Sequence, residues 1–339
     1  MVPRRFATGI HPTDRLSFAS DTRPPEGPPM PDPKALRPLL GDPRQYASVR
    51  GITLDDGAER GQRALLFSTG GGLDFMVLTD RQMDIATLSL AGRQLGWQSP
   101  AGFVAPQLLS VEGDGAKGFD RGFSGFLVTC GLDHIGHPVP GHPHHGKLPF
   151  TPARLTAVGE DWAAGVLYAE GQSRQVRYGA EMLALTRRIE AAIGGTSLTV
   201  RDRIENLGPS AQPVELMYHF NLGHPAITTG SEITLDGAPT TGPLTLPMPT
   251  GPGAATFHPV GHTGAAQCMI TGQGVTTHLT FNGGELPCLQ LWHDLRAGIA
   301  VQSIEPRNFL PDAPPPMLAP GATATITQTI TFTASAPIP

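Results

Sequence analysis

A carboxylate at the end of an apolar run is the first place to look for chemistry. In the stretch Val301 to Ala313, VQSIEPRNFLPDA, the residues Ile299 to Ile304 read as a strand that ends in Glu305-Pro306. Proline has no amide proton and restricts the residue before it, so the strand is expected to stop or bulge there. Glu305 would then be held by a rigid element, partly desolvated and open to a ligand. Such a place suits a general base. The plainer reading is an ion pair with Arg307, of the kind that contributes little when exposed.

Four other stretches carry polar residues that strands and turns do not require. In LTDRQMDI, Arg81 and Asp84 sit at a turn between two strands. They suit a local salt bridge, or a guanidinium fork that holds hydroxyls or orients a carboxylate. TCGLDHIGHPVPGHPHHG holds five of the twelve histidines: His134, His137, His142, His144 and His145. A metal site, a histidine acid or base, and an exposed loop are all open there, although the spacings match no standard zinc motif. PVELMYHFNLG places Tyr218, His219 and Asn221 in an apolar strand. Buried polar groups need partners, so these satisfy one another or line a site. In LQLWH, Gln290 and Trp292 share one strand face. An indole beside an amide suits a sugar ring; a tryptophan in the core is the common alternative.

Short strands must position these groups. Runs of four to ten residues, bounded by Gly, Asp and Pro, recur from Leu39 onward. They are Ala64–Ser68, Asp74–Leu78, Ile85–Leu90, Gly125–Thr129, Gly165–Ala169, Arg174–Tyr178, Met182–Ile189, Ser197–Glu205, Val214–Phe220, Glu232–Leu235, His278–Phe281, Leu289–His293, Ile299–Ile304 and Thr323–Phe332. Regular short strands with turn signals predict an all-β fold, an antiparallel sandwich or a barrel with few short helices. The last run alternates cleanly: Ala324, Ile326, Ile330 and Phe332 on one face, threonines on the other. The first face is expected to be buried and the second wet.

The 42 glycines and 35 prolines among 339 residues punctuate these runs. Residues 1–38, with Pro24, Pro25, Pro28, Pro29, Pro31 and Pro33, read as an extended or disordered arm, and residues 39–339 as one domain. A formal net charge of −5 gives no reason to expect nucleic acid or an anionic membrane. No apolar run reaches bilayer length and no secretory signal is evident. Three cysteines without CxxC spacing fit a reducing compartment, so a cytoplasmic location is expected. An exposed sandwich edge and the proline arm are compatible with a homodimer.

Taken together, these stretches resemble the aldose 1-epimerase (galactose mutarotase-like) family, in its divergent DUF4432 branch. HHGKLPFTPARL is similar to the family's LHG segment, with His145-Gly146 in the matching place. PVELMYHFNLGHP resembles N-H-x-Y-F-N-L, one residue shorter, with His219 at the histidine. VQSIEPRNFLPDAPPPMLAPG resembles L-E-P-Q…P-D-A…L-x-P-G, with Glu305 at the catalytic glutamate. LTDRQMDI, LGWQSPAG and FSGFLVTCGLDHIG look like the DUF4432 branch in particular. The resemblance spans about Gly41 to Phe332.

It implies a β-supersandwich with a sugar pocket. Glu305 would take the anomeric hydroxyl proton, and His219 would protonate the ring oxygen, supported by His145. Ring opening and reclosure then exchange anomers without metal or cofactor. Arg81, Asp84, Asp133, Asn221, Gln290, Trp292 and Arg307 are the candidate substrate-binding residues. The sequence departs from the pattern in three ways. Tyr218 replaces the asparagine before the histidine, the family's N-terminal arginine segment has no clear match, and only Asp133 and Asp294 are candidates for its substrate-binding aspartate. No Lys/Arg cluster near these residues suggests a phosphate clamp, so a neutral monosaccharide is expected. Two alternatives stay open: removal of a C–H proton from a keto sugar in the same pocket, and a non-catalytic carbohydrate-binding module.

Overall fold

The structure, a computed structural model, describes residues 33–334. Two large antiparallel sheets make up the body. The first starts at Ser48–Thr53 and runs through Arg63–Ser68, Leu73–Leu78, Asp84–Leu90, Leu127–Leu132, Glu215–Leu222, Val301–Arg307 and Cys288–Asp294 to Thr256–Pro259. Arg93–Gln94 pairs onto Asp84–Leu90. The second runs Ala238–Pro239, Ile233–Leu235, Ala265–Thr271, Val275–Asn282, Thr323–Ala334, Ser197–Asn206, Met182–Ala192, Val166–Val176 and Arg154–Asp161. A small pair, Gln212–Pro213 with Met317–Leu318, stands apart. Among the described residues the helices are single turns, such as Gly118–Arg121. None is long and apolar enough to cross a membrane.

The core lies between the sheets. Phe75, Leu88, Phe220, Ile304 and Leu291 from the first meet Leu185, Ile189, Val200, Leu279, Ile330 and Phe332 from the second. Alternation decides which residues go there. Along Thr323–Ala334, Ile326, Gln328, Ile330 and Phe332 are buried while the threonines are half-buried or exposed, as the sequence pattern predicts, but Ala324, expected on the buried face, is half-buried. The outer face of the first sheet carries a second apolar cluster, Phe119, Val128, Cys130, Ile135, Phe150 and Met217, flanked by Phe123 and Phe309.

Three of the differences from expectation bear on how the sheets are built. Most of Gly165–Ala169 and of Arg174–Tyr178 falls in one strand, Val166–Val176. Gly171 in its middle marks a close approach, not a turn, since a Cβ there would stand 2.5 Å from the Met83 sulfur. The strand Val301–Arg307 does not stop at Glu305-Pro306 but runs through it, paired on one side as Gln290↔Glu305, Leu289↔Pro306 and Cys288↔Arg307. On the other side the ladder holds at Met217↔Arg307 and Phe220↔Ile304 and lapses at Tyr218 and His219 between them. Proline brings no donor to that gap. Last, Pro33–Leu36 is a helical turn and Arg37–Leu39 a 3-10 turn, so the end of the proposed arm is not extended. Proline is tolerated in the first turn of a helix, where its missing N–H goes unused. The rest of the proposed arm lies outside the described residues.

Candidate active site

Four neighbouring strands of the first sheet bring the chemistry together. His219 lies opposite Val128, and Glu305 opposite Gln290. On each strand the alternate residues share a face. His219 therefore goes with Met217 and Asn221, Glu305 with Ser303 and Arg307, and Gln290 with Trp292. That face is the outer one, away from the core between the sheets. Glu305 Oε1 lies 3.2 Å from His219 Nε2. Gln290 Nε2 donates to Glu305 Oε2 at 2.5 Å, and its Oε1 accepts from Arg307 Nη1 at 3.2 Å. The Ser303 hydroxyl contacts both Glu305 Oε1 and the Trp292 carbonyl, the latter at 2.9 Å. One hydroxyl proton serves only one of these at a time, so Ser303 donates to the carbonyl whenever Glu305 carries a proton at Oε1.

Loops close the site with rings. Phe123 packs 5.0 Å from His219 and 6.3 Å from Trp292, and Trp97 packs 5.2 Å from Phe123. The Trp97 indole donates to the Ile299 carbonyl at 2.7 Å, tying this loop to the start of the glutamate strand. Phe119 lies 4.7 Å from His145, whose ring meets His219 edge-on at 5.8 Å. His145 is pinned by its backbone, which donates to Gly136 O and accepts from Gly131 N. Gly146 must be glycine: at a φ of 74°, a Cβ would sit 2.6 Å from the Gly131 and His134 carbonyls. The His145 Nδ1 accepts from Gly136 N–H at 3.2 Å. The neutral ring therefore carries its proton on Nε2 and can only donate there.

Burial sets the charge states. Glu305 is wholly buried and His219 is 4% exposed. Desolvation pushes the Glu305 carboxyl up to about 8, against the opposing pull of Ser303, Arg307 and Gln290. Desolvation pushes His219 down, to about 3. It also carries His145 well below the ordinary histidine value, with the neighbouring histidines adding to the fall. All three directions favour uncharged groups, so at neutral pH Glu305 and His219 together hold one titratable proton.

Not every residue expected here is here. Asp84 accepts from Thr129 N at 3.1 Å, Thr129 Oγ1 at 2.7 Å and Arg187 Nη1 at 3.0 Å, in the layer between the sheets. Its carboxylate is already committed there, and burial pushes it up to about 6 against Arg187 and Thr129. Arg81 is 1% exposed, with its guanidinium 4.7 Å from the Phe150 ring centre and both terminal nitrogens unbonded. Phe150 in turn packs on Phe119, and Phe119 on His145. Asp133 accepts from the His142 ring at 2.9 Å and borders a different hollow of about 320 Å³, with Arg177, Glu181 and Gln212. Asp294 pairs with Arg296 at 2.6 Å. Asn221 braces the site: its amide donates to Gly125 O at 2.9 Å and to His219 O at 3.1 Å. In the histidine loop, His142 pairs with Asp133, His144 with Asp120, and His134 meets the His137 carbonyl. No group of three or more metal-capable side chains forms among the described residues.

Sequence reasoning missed Ser303, Phe119 and Phe123. Ser303 had a signal, because its spacing of two from Glu305 in an apolar strand puts both on one face. Phe119 lies in the single 3-10 turn Gly118–Arg121 and Phe123 in the loop after it, and neither is long enough to carry a period.

The two packed antiparallel sheets are the galactose mutarotase-like fold. A protein from Klebsiella pneumoniae subsp. pneumoniae, described as a candidate aldose 1-epimerase, superposes with a TM-score of 0.78 over 85% of this chain and 84% of its own, at 21% identity. A galactose mutarotase-like protein from Clostridium acetobutylicum gives 0.59 over 86% and 99%, at 11% identity. A galactose 1-epimerase from Lactobacillus acidophilus gives 0.54 over 86% and 100%, at 13% identity. No curated protein matches the sequence. The chain belongs to the DUF4432 family, described as a domain of unknown function, which it matches over residues 59–242, more than half its length.

Proposed function

We propose that this protein interconverts the anomers of a free monosaccharide by acid-base ring opening. The observation that carries the reading is the 3.2 Å contact between Glu305 and His219 on a ring-lined face. Glu305 takes the proton from the anomeric hydroxyl, the C1–O5 bond breaks, and O5 receives a proton from His219. The open-chain aldehyde turns about C1–C2 and recloses by the reverse transfers. His145, fixed as a donor, supports the ring-oxygen side. Trp292 and Phe123 offer apolar faces to the sugar's C–H surface.

The proton inventory fits this cycle. The resting pair holds one proton and the working pair, carboxylate plus imidazolium, also holds one. A shift from Oε1 to Nε2 converts one to the other without exchange with water. Such a pair titrates as a unit. Catalysed exchange, corrected for the spontaneous rate, is expected to hold steady between about pH 5 and 7 and to fall as pH rises through about 8, where the last proton leaves. Ser303→Ala removes a donor that favours the carboxylate, so this falling limb should move to higher pH. A limb that moves down, or stays put, would remove Ser303 from the account.

Saturation-transfer NMR on a panel of free sugars tests the function itself. Enhanced anomer exchange, with every C–H position free of solvent deuterium, is the expected result. Deuterium entering a carbon position would instead assign C–H proton removal, and no exchange across the panel would end the proposal.

A further inference from the structure

Among the described residues, Arg307 has no counter-ion for its guanidinium. It is 7% exposed and lies on the same strand face as Glu305, two residues on. No carboxylate of the described residues comes within ion-pair distance; Glu215 and Glu305 act on it only from farther away. Its Nη1 donates to Gln290 Oε1; among the described residues its buried Nε has no partner and no hydrogen bond engages Nη2. The guanidinium lies over the rings of Phe309 and Phe257, 4.4 and 5.7 Å from their centres. A guanidinium bonds a partner through its N–H edge. Buried cations are normally paired, and a guanidinium edge matches a carboxylate with two parallel hydrogen bonds. Arginine also stands where the family pattern quoted above, L-E-P-Q, has glutamine.

We propose that the ligand of this site is a sugar acid, whose carboxylate pairs with Arg307 while its anomeric hydroxyl faces Glu305. This rests on the sugar-binding reading of the site and names the substrate class within it. It replaces the expectation of a neutral sugar, which rested on the lack of a basic cluster. A phosphate clamp needs several cations; a single carboxylate needs one fork. Gln290 joins the two functions, since one end of its amide holds Glu305 and the other holds Arg307.

The test compares acids with their neutral counterparts: D-glucuronate and D-galacturonate against D-glucose and D-galactose, with 2-keto-D-gluconate to place the carboxylate on the anomeric carbon instead. Binding is read by calorimetry and anomer exchange by saturation-transfer NMR, for the wild type, Arg307→Gln and Arg307→Lys. At least one acid should bind about 10- to 100-fold more tightly than its neutral partner, as expected for charge-assisted bonds. Arg307→Gln should erase that ratio, and Arg307→Lys, which keeps the charge but not the fork, should restore part of it. The inference fails if neutral sugars bind as tightly as acids. It also fails if the ratio survives in Arg307→Gln, or if that variant only shifts the pH profile equally for both classes, as a mere tuner of Glu305 would. Should Arg307→Gln not fold, the wild-type ratio decides alone. Acid binding without exchange upholds the ligand class and overturns mutarotation.

Discussion

Glu305→Gln is expected to lower catalysed anomer exchange by about 10²- to 10⁴-fold, the usual contribution of a positioned proton-transfer group. The amide keeps the shape of the side chain and its place beside Gln290 and Ser303 but cannot accept the hydroxyl proton. The same substitution should make the protein more stable in alkaline solution. Burial raises the folded-state value of Glu305 to about 8, above that of the unfolded chain. The folded state therefore holds this proton more tightly than the unfolded chain. Its contribution is fully present below the unfolded value and is lost as pH rises through about 8. Glutamine has no such dependence. The melting temperature of Glu305→Gln should thus exceed that of the wild type by a margin that grows from pH 6 to pH 9. Loss of exchange without that growing margin would mean that Glu305 is not held in the desolvated state described. Full exchange in the variant would remove it from the chemistry altogether.

The second large effect lies behind the site. Arg187 is fully buried between the sheets, with Nε and Nη2 on the Asp202 carboxylate at 2.9 and 2.7 Å and Nη1 on Asp84 at 3.0 Å. The Tyr218 hydroxyl donates to Asp202 at 2.8 Å. Burial alone would lower Arg187; Asp202 and Asp84 outweigh it and hold the guanidinium above its ordinary value. Arg187→Met leaves two carboxylates buried without their cation. Breaking a buried pair in this way costs about 3–5 kcal/mol, which corresponds to a fall in melting temperature of roughly 5–15 °C. Adding Asp84→Asn and Asp202→Asn should recover part of the loss, because no charge is then stranded. A single variant that melts within about 1 °C of the wild type would show that the layer contributes nothing to stability.

Much of this was legible from residue order. The alternation in Thr323–Ala334 reports its buried face directly, and the polar residues set into Glu215–Leu222 and Val301–Arg307 flag the outer one. Distance in space was not legible. Arg81 and Asp84 are three residues apart beside a strand, and only coordinates show one beneath Phe150 and the other bonded to Arg187. Asp84 looked like a ligand residue because an acidic group at a turn has the same local signal whether it meets solvent, a substrate or a buried arginine. Strands with weak alternation also escaped: Arg154–Asp161, at the edge of its sheet, buries no residue fully, so hydrophobic period could not reveal it. Pro306 carried a true signal with an unexpected form. It does disturb the sheet, but as a lapse on one side of a continuing strand, beside the two residues whose contact defines the site.

Within Glu215–Leu222, adjacent side chains answer to different constraints. His219 meets Glu305 on the outer face, while Tyr218 beside it anchors to Asp202 in the interior. Under the proposed function, guest preference falls to one set of alternate positions and cohesion to the other. A lineage built on this scaffold can drift in what it accepts through the outward set, while purifying selection on the inward set keeps the fold intact.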